Sequence, residues 1–171
     1  MIRIEIPQLK DLPELTTLAI ETFIQSHGHS ASTKDVDNYL QANYTEDIFK
    51  TELSDPNNFY RVLFTENKMV GYLKIIYNQP ISAVESASIT KLERIYVLEK
   101  FHGQGLGQEL FNCAIDLSKT NGQAGVWLYT WIENKRAIRF YEKMSFKIVG
   151  SHDFQLSPTH TNPNHQMYLA F

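Results

Sequence analysis

From Ile2 to Ile6 apolar and charged residues alternate (IRIEI), the two-residue period of a half-buried strand. The spacing then lengthens. Leu15, Leu18, Ala19 and Phe23 recur at helical intervals behind Asp11 and Pro13, which predicts a helix capped by Asp11 and broken by SHGHSAST. A second helix is predicted from about Lys34 to Ala42, and a third between Thr45 and Pro56. The period then returns to two. FYRVLFT and MVGYLKIIY flank the turn residues ENK, predicting a hairpin, and ITKLERIYV predicts a further strand with Leu92, Arg94 and Tyr96 opposite Glu93, Ile95 and Val97. Leu106, Leu110, Cys113, Ala114 and Leu117 mark one face of a helix that ends at TNG. VWLYTW reads as a strand, NKRAIRFYEKM as a helix and FKIVG as a strand. The polar, proline-containing SPTHTNPNH reads as a loop joining HDFQL to a last strand, QMYLAF.

This order gives an α/β domain with a mostly antiparallel sheet. The 171 residues, 43% hydrophobic, are enough for one domain spanning the whole chain with its own core. Cys113 is the sole cysteine, so neither a disulfide framework nor a four-thiolate zinc site can form. The formal charge of −3 lacks the basic excess of a general nucleic-acid binder. MIRIEIPQLK lacks signal-peptide character and no apolar run approaches about 18 residues. A cytoplasmic protein with no membrane or nucleic-acid partner is the expectation.

The stretch FHGQGLGQ opens the helix at Leu106 with three glycines, Gly103, Gly105 and Gly107. Glycine is costly inside a helix, but it lets backbone amides at a helix N-terminus close around a phosphate. A dinucleotide fingerprint fails in both registers, since the sixth position is Gln108 from Gly103 and Leu110 from Gly105, and the Lys-Ser/Thr of a P-loop is absent.

HGQGLG (His102 to Gly107) resembles the [RQ]-x-x-G-x-[GA] loop of the GNAT superfamily of acyl-CoA-dependent N-acetyltransferases, with His102 in place of Arg or Gln. Downstream, ENKRAIRFYEKMSF is similar to the family's second signature, an Asn followed by a helix ending F-Y-x-x-x-G-F. It carries Asn134, Ala137, Phe140, Tyr141 and Phe146, with Ser145 where the family has glycine.

The resemblance implies a GNAT fold, a single domain with a mixed, twisted sheet of about seven strands flanked by helices, two of them splayed to form an acetyl-CoA cleft. It implies acetyl-CoA as co-substrate and no metal. The pyrophosphate would rest on amides from His102, Gly103, Gln104, Gly105, Leu106, Gly107 and Gln108. The pantetheine arm would pair with the backbone of Ile95, Tyr96 and Val97 beside Asn134 and Ala137, with the Val97 amide facing the thioester oxygen. Tyr141, protonated at neutral pH with an ordinary pKa of about 10, would be the general acid for the leaving thiolate. Glu93 would be the base for the amine. Apart from the resemblance, Tyr141 reads as a core residue, Glu93 as a partner of Lys91 or Arg94, and Asn134 as a helix cap.

His27 with His29, and His160 with His165, lack the further ligands a metal needs and read as loop polarity. Cys113 reads as core. So do Trp127, Tyr129 and Trp131, although Trp131 at its strand end can touch a ligand. For the acceptor, Asp35, Asp37, Glu46, Asp47, Glu52 and Asp55 against Lys50 form either an acidic rim attracting a polycation or an ordinary solvated face. ANYTEDIFKTELSDPNNFYRV, VGYLKI, KLERIYV and GSHDFQL resemble the bacterial polyamine acetyltransferases of this family, which implies spermidine or spermine as the small-molecule amine. Peptide N-terminal or lysine acetylation, and acetyl-CoA sensing without transfer, are the alternatives. Family members often form dimers, so a homodimer is also among the expectations.

Overall fold

Seven strands form one sheet in the order β1-β2-β3-β4-β5-β7-β6 in the computed structural model, which describes residues 1–171. The elements are β1 (Ile2–Glu5), α1 (Leu12–His27), α2 (Thr33–Asn43), α3 (Glu46–Ser54), β2 (Asn58–Thr65), β3 (Lys68–Ile76), β4 (Thr90–Val97), α4 (Leu106–Thr120), β5 (Gly125–Trp131), α5 (Lys135–Lys143), β6 (Lys147–Ser157) and β7 (His160–Ala170). Every neighbouring pair is antiparallel except β4 and β5.

Local chemistry accounts for most boundaries. Ser32 accepts from the Asp35 amide at 3.1 Å and Thr45 from the Ile48 amide at 3.3 Å, opening α2 and α3. Asp11 occupies the predicted cap position of α1, but its carboxylate turns back to the Gln8 amide at 2.7 Å and closes the preceding helical turn instead. Glu66 and Asn67 adopt positive φ between β2 and β3, as a tight hairpin requires.

SHGHSAST ends α1 as expected, after Ser26 and His27, with Gly28 as the C-cap. One expectation is corrected: SPTHTNPNH is not a long loop. β6 and β7 form a long hairpin around Pro158 and Thr159, with Asp153 opposite Pro163. Pro163 is tolerated because its carbonyl, and therefore its missing N–H, faces the β5 side of β7. There it lies just beyond the last β5 pair, Trp131 with Asn164, and accepts only from the Ile132 amide at 3.0 Å.

The helices divide between the two faces. α4 covers the face of Gly71, where an added Cβ would lie 3.1 Å from Leu110 and 2.8 Å from the Tyr96 carbonyl. α3 covers the opposite face, bringing Phe49 and Glu52 to Tyr60, Lys74 and Arg94. α5 is anchored by rings, with Phe140 5.9 Å from Phe111 and Tyr141 5.6 Å from Phe146.

Candidate active site

β4 and β5 pair only at Thr90 with Val126 and Lys91 with Trp127, and then diverge. The gap is the mouth of a cleft of about 980 Å³ bordered by the start of α4, by α5 and by the end of α1. Leu98 donates to Val70 of β3, and the Tyr96 carbonyl also faces β3. Alternation then turns the amides of Ile95 and Val97 into the cleft, where no strand pairs with them. Tyr96 contributes its ring rather than its backbone. It stacks on Tyr72 at 5.8 Å, and burial pushes its phenol up to about 12 despite the opposing influence of Arg94.

At the far end of β4 the chain turns through the glycine loop. Gly103 and Gly105 hold φ of +78° and +80°, and Gly105 is the N-cap of α4. Apart from the adjoining backbone, no atom lies within 4 Å of where a Cβ would stand at Gly103, Gly105 or Gly107, so the loop presents bare backbone to open space. The first-turn amides of Leu106, Gly107 and Gln108 have no acceptor within the helix. The cradle therefore fits an anion of pyrophosphate type. His102 ties the two lips together, as its Nε2 lies 2.7 Å from the Val97 carbonyl while its Nδ1 meets the Arg136 guanidinium of α5. With Arg136 donating to Nδ1, the proton sits on Nε2 and donates to Val97. Gln104 lies in the same loop.

From α5, Asn134 and Ala137 line the cleft, and Asn134 accepts from the Ala137 amide at 3.2 Å, so it is the helix cap. Tyr141 also lines the cleft while being 9% exposed. Burial, and secondarily Tyr96, pushes its phenol well above the ordinary tyrosine value. Ser145 follows α5 at φ +71°, which explains why glycine suits this position.

A bulge re-aims Glu93. Lys74 pairs with Arg94 and Ile75 with Leu92, so Glu93 is the extra residue and its side chain joins the face of Arg94. The alternation that grouped Glu93 with Val97 is thereby corrected. Lys74 Nζ, 5% exposed as a residue, bridges Glu93 at 2.5 Å and Glu52 at 3.0 Å. Glu52 also meets Arg94 at 3.1 Å, and Glu93 meets Lys91 at 3.3 Å. Burial alone would raise the Glu93 carboxyl, but Lys74, then Lys91 and Arg94, hold it below the usual carboxylate range.

His27 also belongs to the cleft. It stacks on Phe23 at 5.1 Å, lies 5.9 Å from Trp131, and is lowered to about 4 by burial and then by His29. Its sequence surroundings are polar, and nothing in them distinguishes it from a loop histidine. Lys74 did leave a signal, a lone charge inside the apolar strand MVGYLKII. No group of three or more His, Cys, Asp or Glu is placed to hold a metal ion, and no helix is long and apolar enough to cross a membrane.

An unpaired strand edge, an anion-binding loop and a buried tyrosine beside one cleft suit acyl transfer from a phosphorylated, extended donor. The profile of the acetyltransferase (GNAT) family matches residues 13–146. The chain belongs to this family. An N-acetyltransferase of Lactobacillus delbrueckii subsp. lactis is 29% identical over 147 residues, covering 86% of this chain and 85% of the relative. Among solved structures, the PaiA N-acetyltransferase of Thermoplasma acidophilum in complex with coenzyme A superposes with a TM-score of 0.80. It is 19% identical and the match covers 100% of this chain and 99% of that one. A chimera of the Vibrio cholerae spermidine N-acetyltransferase SpeG with hSSAT gives 0.69 at 20% identity, covering 99% and 95%. This GNAT chain is thus an acetyl-CoA-dependent N-acetyltransferase with the family's single-domain fold.

Proposed function

We propose that this enzyme transfers acetyl from acetyl-CoA to a primary amine by direct attack, with the nitrogen–carbon bond forming as the carbon–sulfur bond breaks. The observation that carries this reading is the pair of unpaired amides, Ile95 and Val97, in the same cleft as Tyr141. The Val97 N–H would stabilise charge on the thioester oxygen, and Ile95 would pair with the pantetheine arm. Amides from Gly103 to Gln108, with His102 and Arg136 behind them, would hold the pyrophosphate, and Asn134 and Ala137 would flank the arm.

Tyr141 would donate to the departing thiolate. Burial keeps its phenol protonated well past neutral pH. A thiolate confined in the same cleft is desolvated too, which raises its basicity towards that of the phenol. Glu93 would draw the ammonium and accept its proton through water. Its lowered carboxyl makes it a weak base, so most of the deprotonation falls to desolvation of the amine.

The polyamine acceptor expected from the sequence has only the likeness to the spermidine N-acetyltransferase chimera behind it. The acidic surface of α2 and α3 adds little, because only Glu52 of that group lines the cleft and it is already paired.

CoA thiol release over a panel of amines, comparing wild type with Tyr141→Phe, tests the proposal. The mutant should lose about 100-fold in kcat, in the range for loss of a general acid, with little change in the KM for acetyl-CoA. Undiminished turnover in the mutant refutes the acid. Acetyl-CoA binding without turnover on any amine refutes the transferase.

A further inference from the structure

The charges and rings on the acceptor side of the cleft are distributed unevenly. Only two carboxylates line the whole cleft, Glu52 and Glu93, and Lys74 bridges both. Their remaining ionic contacts go to Arg94 and Lys91, and Glu52 also accepts from the Tyr60 hydroxyl. Lys91 Nζ also lies 5.4 Å from the Trp127 ring centre and 5.7 Å from that of Tyr129. A cationic site made of a carboxylate and two aromatic faces is thus already filled by the protein's own lysine. An acceptor with several ammonium groups would find no free carboxylate for the second or third, and each would lose hydration without a counter-charge.

Six aromatic side chains also line the cleft. His27 and Trp131 lie 5.9 Å apart, Tyr39 and Phe154 5.6 Å, and Tyr129 stacks on His152 at 4.3 Å and 17°. These six side chains, from α1, α2, β5 and β6, surround the acceptor side of the cleft. Such walls accept a flat ring through offset and edge contacts.

From this charge balance and these walls we infer that the acceptor is a monoamine on an aromatic frame, an arylalkylamine, and that Lys91 closes the site to polycations. The inference rests on the acetyltransferase reading. The amine enters towards Glu93 and the Val97 amide, its ring lies between the walls, and Lys91, together with Lys74, neutralises Glu93 against competing cations.

The experiment measures kcat/KM with 2-phenylethylamine, butylamine, spermidine and an alanine-ended peptide at saturating acetyl-CoA. Phenylethylamine should exceed each of the others by about tenfold, in line with the discrimination an apolar pocket gives. Phe154→Ala, at a half-buried position that leaves the cofactor loop intact, should raise the KM for phenylethylamine several-fold and leave that for acetyl-CoA unchanged. Lys91→Met leaves Glu93 paired with Lys74 alone and uncovers the Trp127 and Tyr129 rings, and should lower the KM for spermidine several-fold. Preference for spermidine or the peptide, or equal use of butylamine and phenylethylamine, overturns the inference while leaving the transferase standing. Absence of turnover on all four amines, with acetyl-CoA still bound, overturns the transferase reading and this inference with it.

Discussion

Replacing Lys74 with methionine tests how the sheet is held together beneath the cleft. The side chain is 6% exposed, and its ammonium lies 2.5 Å from Glu93 and 3.0 Å from Glu52. Removing one partner of a buried ion pair typically costs about 3–5 kcal/mol. Glu52 retains Arg94 at 3.1 Å and Glu93 retains Lys91 at 3.3 Å. Methionine also fills a similar volume, so the expected loss is at the lower end, about 3 kcal/mol at pH 7. With a urea slope of about 2 kcal/mol/M, the unfolding midpoint should fall by roughly 1.5 M. In the wild type Glu93 titrates below its ordinary value, so its contribution is complete above the unfolded pKa of about 4.3 and is lost as the pH falls through the folded value. Without Lys74, only Lys91 and Arg94 oppose burial, and the folded pKa of Glu93 should rise above the unfolded one. Protonation then relieves the mutant, and the stability gap should narrow as the pH falls from 7 towards about 5. Urea titrations of both proteins at pH 7, 6 and 5 decide the matter. A gap below about 1 kcal/mol, or one that does not change with pH, would refute this account of the cluster.

Gly107→Ala places a methyl group in open space on an ordinary helical backbone, so the free protein should gain about 0.5–1 kcal/mol. If phosphates pack against that backbone, the same substitution should shrink the rise in Tm that acetyl-CoA produces; thermal melts with and without acetyl-CoA check both effects. Ser145→Gly relieves a left-handed residue and should raise stability by about 1 kcal/mol in urea unfolding, with kcat unchanged.

Much of the fold can be read from the sequence because periodicity and punctuation agree. The β2–β3 hairpin follows from alternation on both sides of ENK, and the α4 face from Leu106, Leu110 and Ala114, all buried. The strand–glycine–helix unit is equally plain. What fails has a physical reason in each case. Polar residues on a long outer hairpin look like a loop, and Pro163 reinforces that reading although its missing N–H lies where no ladder bond is lost. The bulge at Glu93 leaves no trace in composition, so strict alternation assigned its side chain to the wrong face. His27 is drawn into the cleft by the last turn of α1, set among Phe23, Tyr96 and Trp131, which lie far from it in the chain or look like ordinary core. Within the site, the glycine loop and the Asn134–Tyr141 helix were visible in the sequence. The acceptor walls were not, because they are assembled from α1, α2, β5 and β6.

The divergence of β4 from β5 also gives the molecule a mechanical character. One leaf carries β1 to β4 and the other β5 to β7, and the ladder between them runs for only two residue pairs. α4, lying across β3, β4 and β5, acts as the spine of the book. Hinging about that spine changes the width of the opening while leaving each leaf's own ladders unbroken. An extended guest that hydrogen-bonds to both pages lengthens the stitching, and thus binds the two halves into one stiffer body.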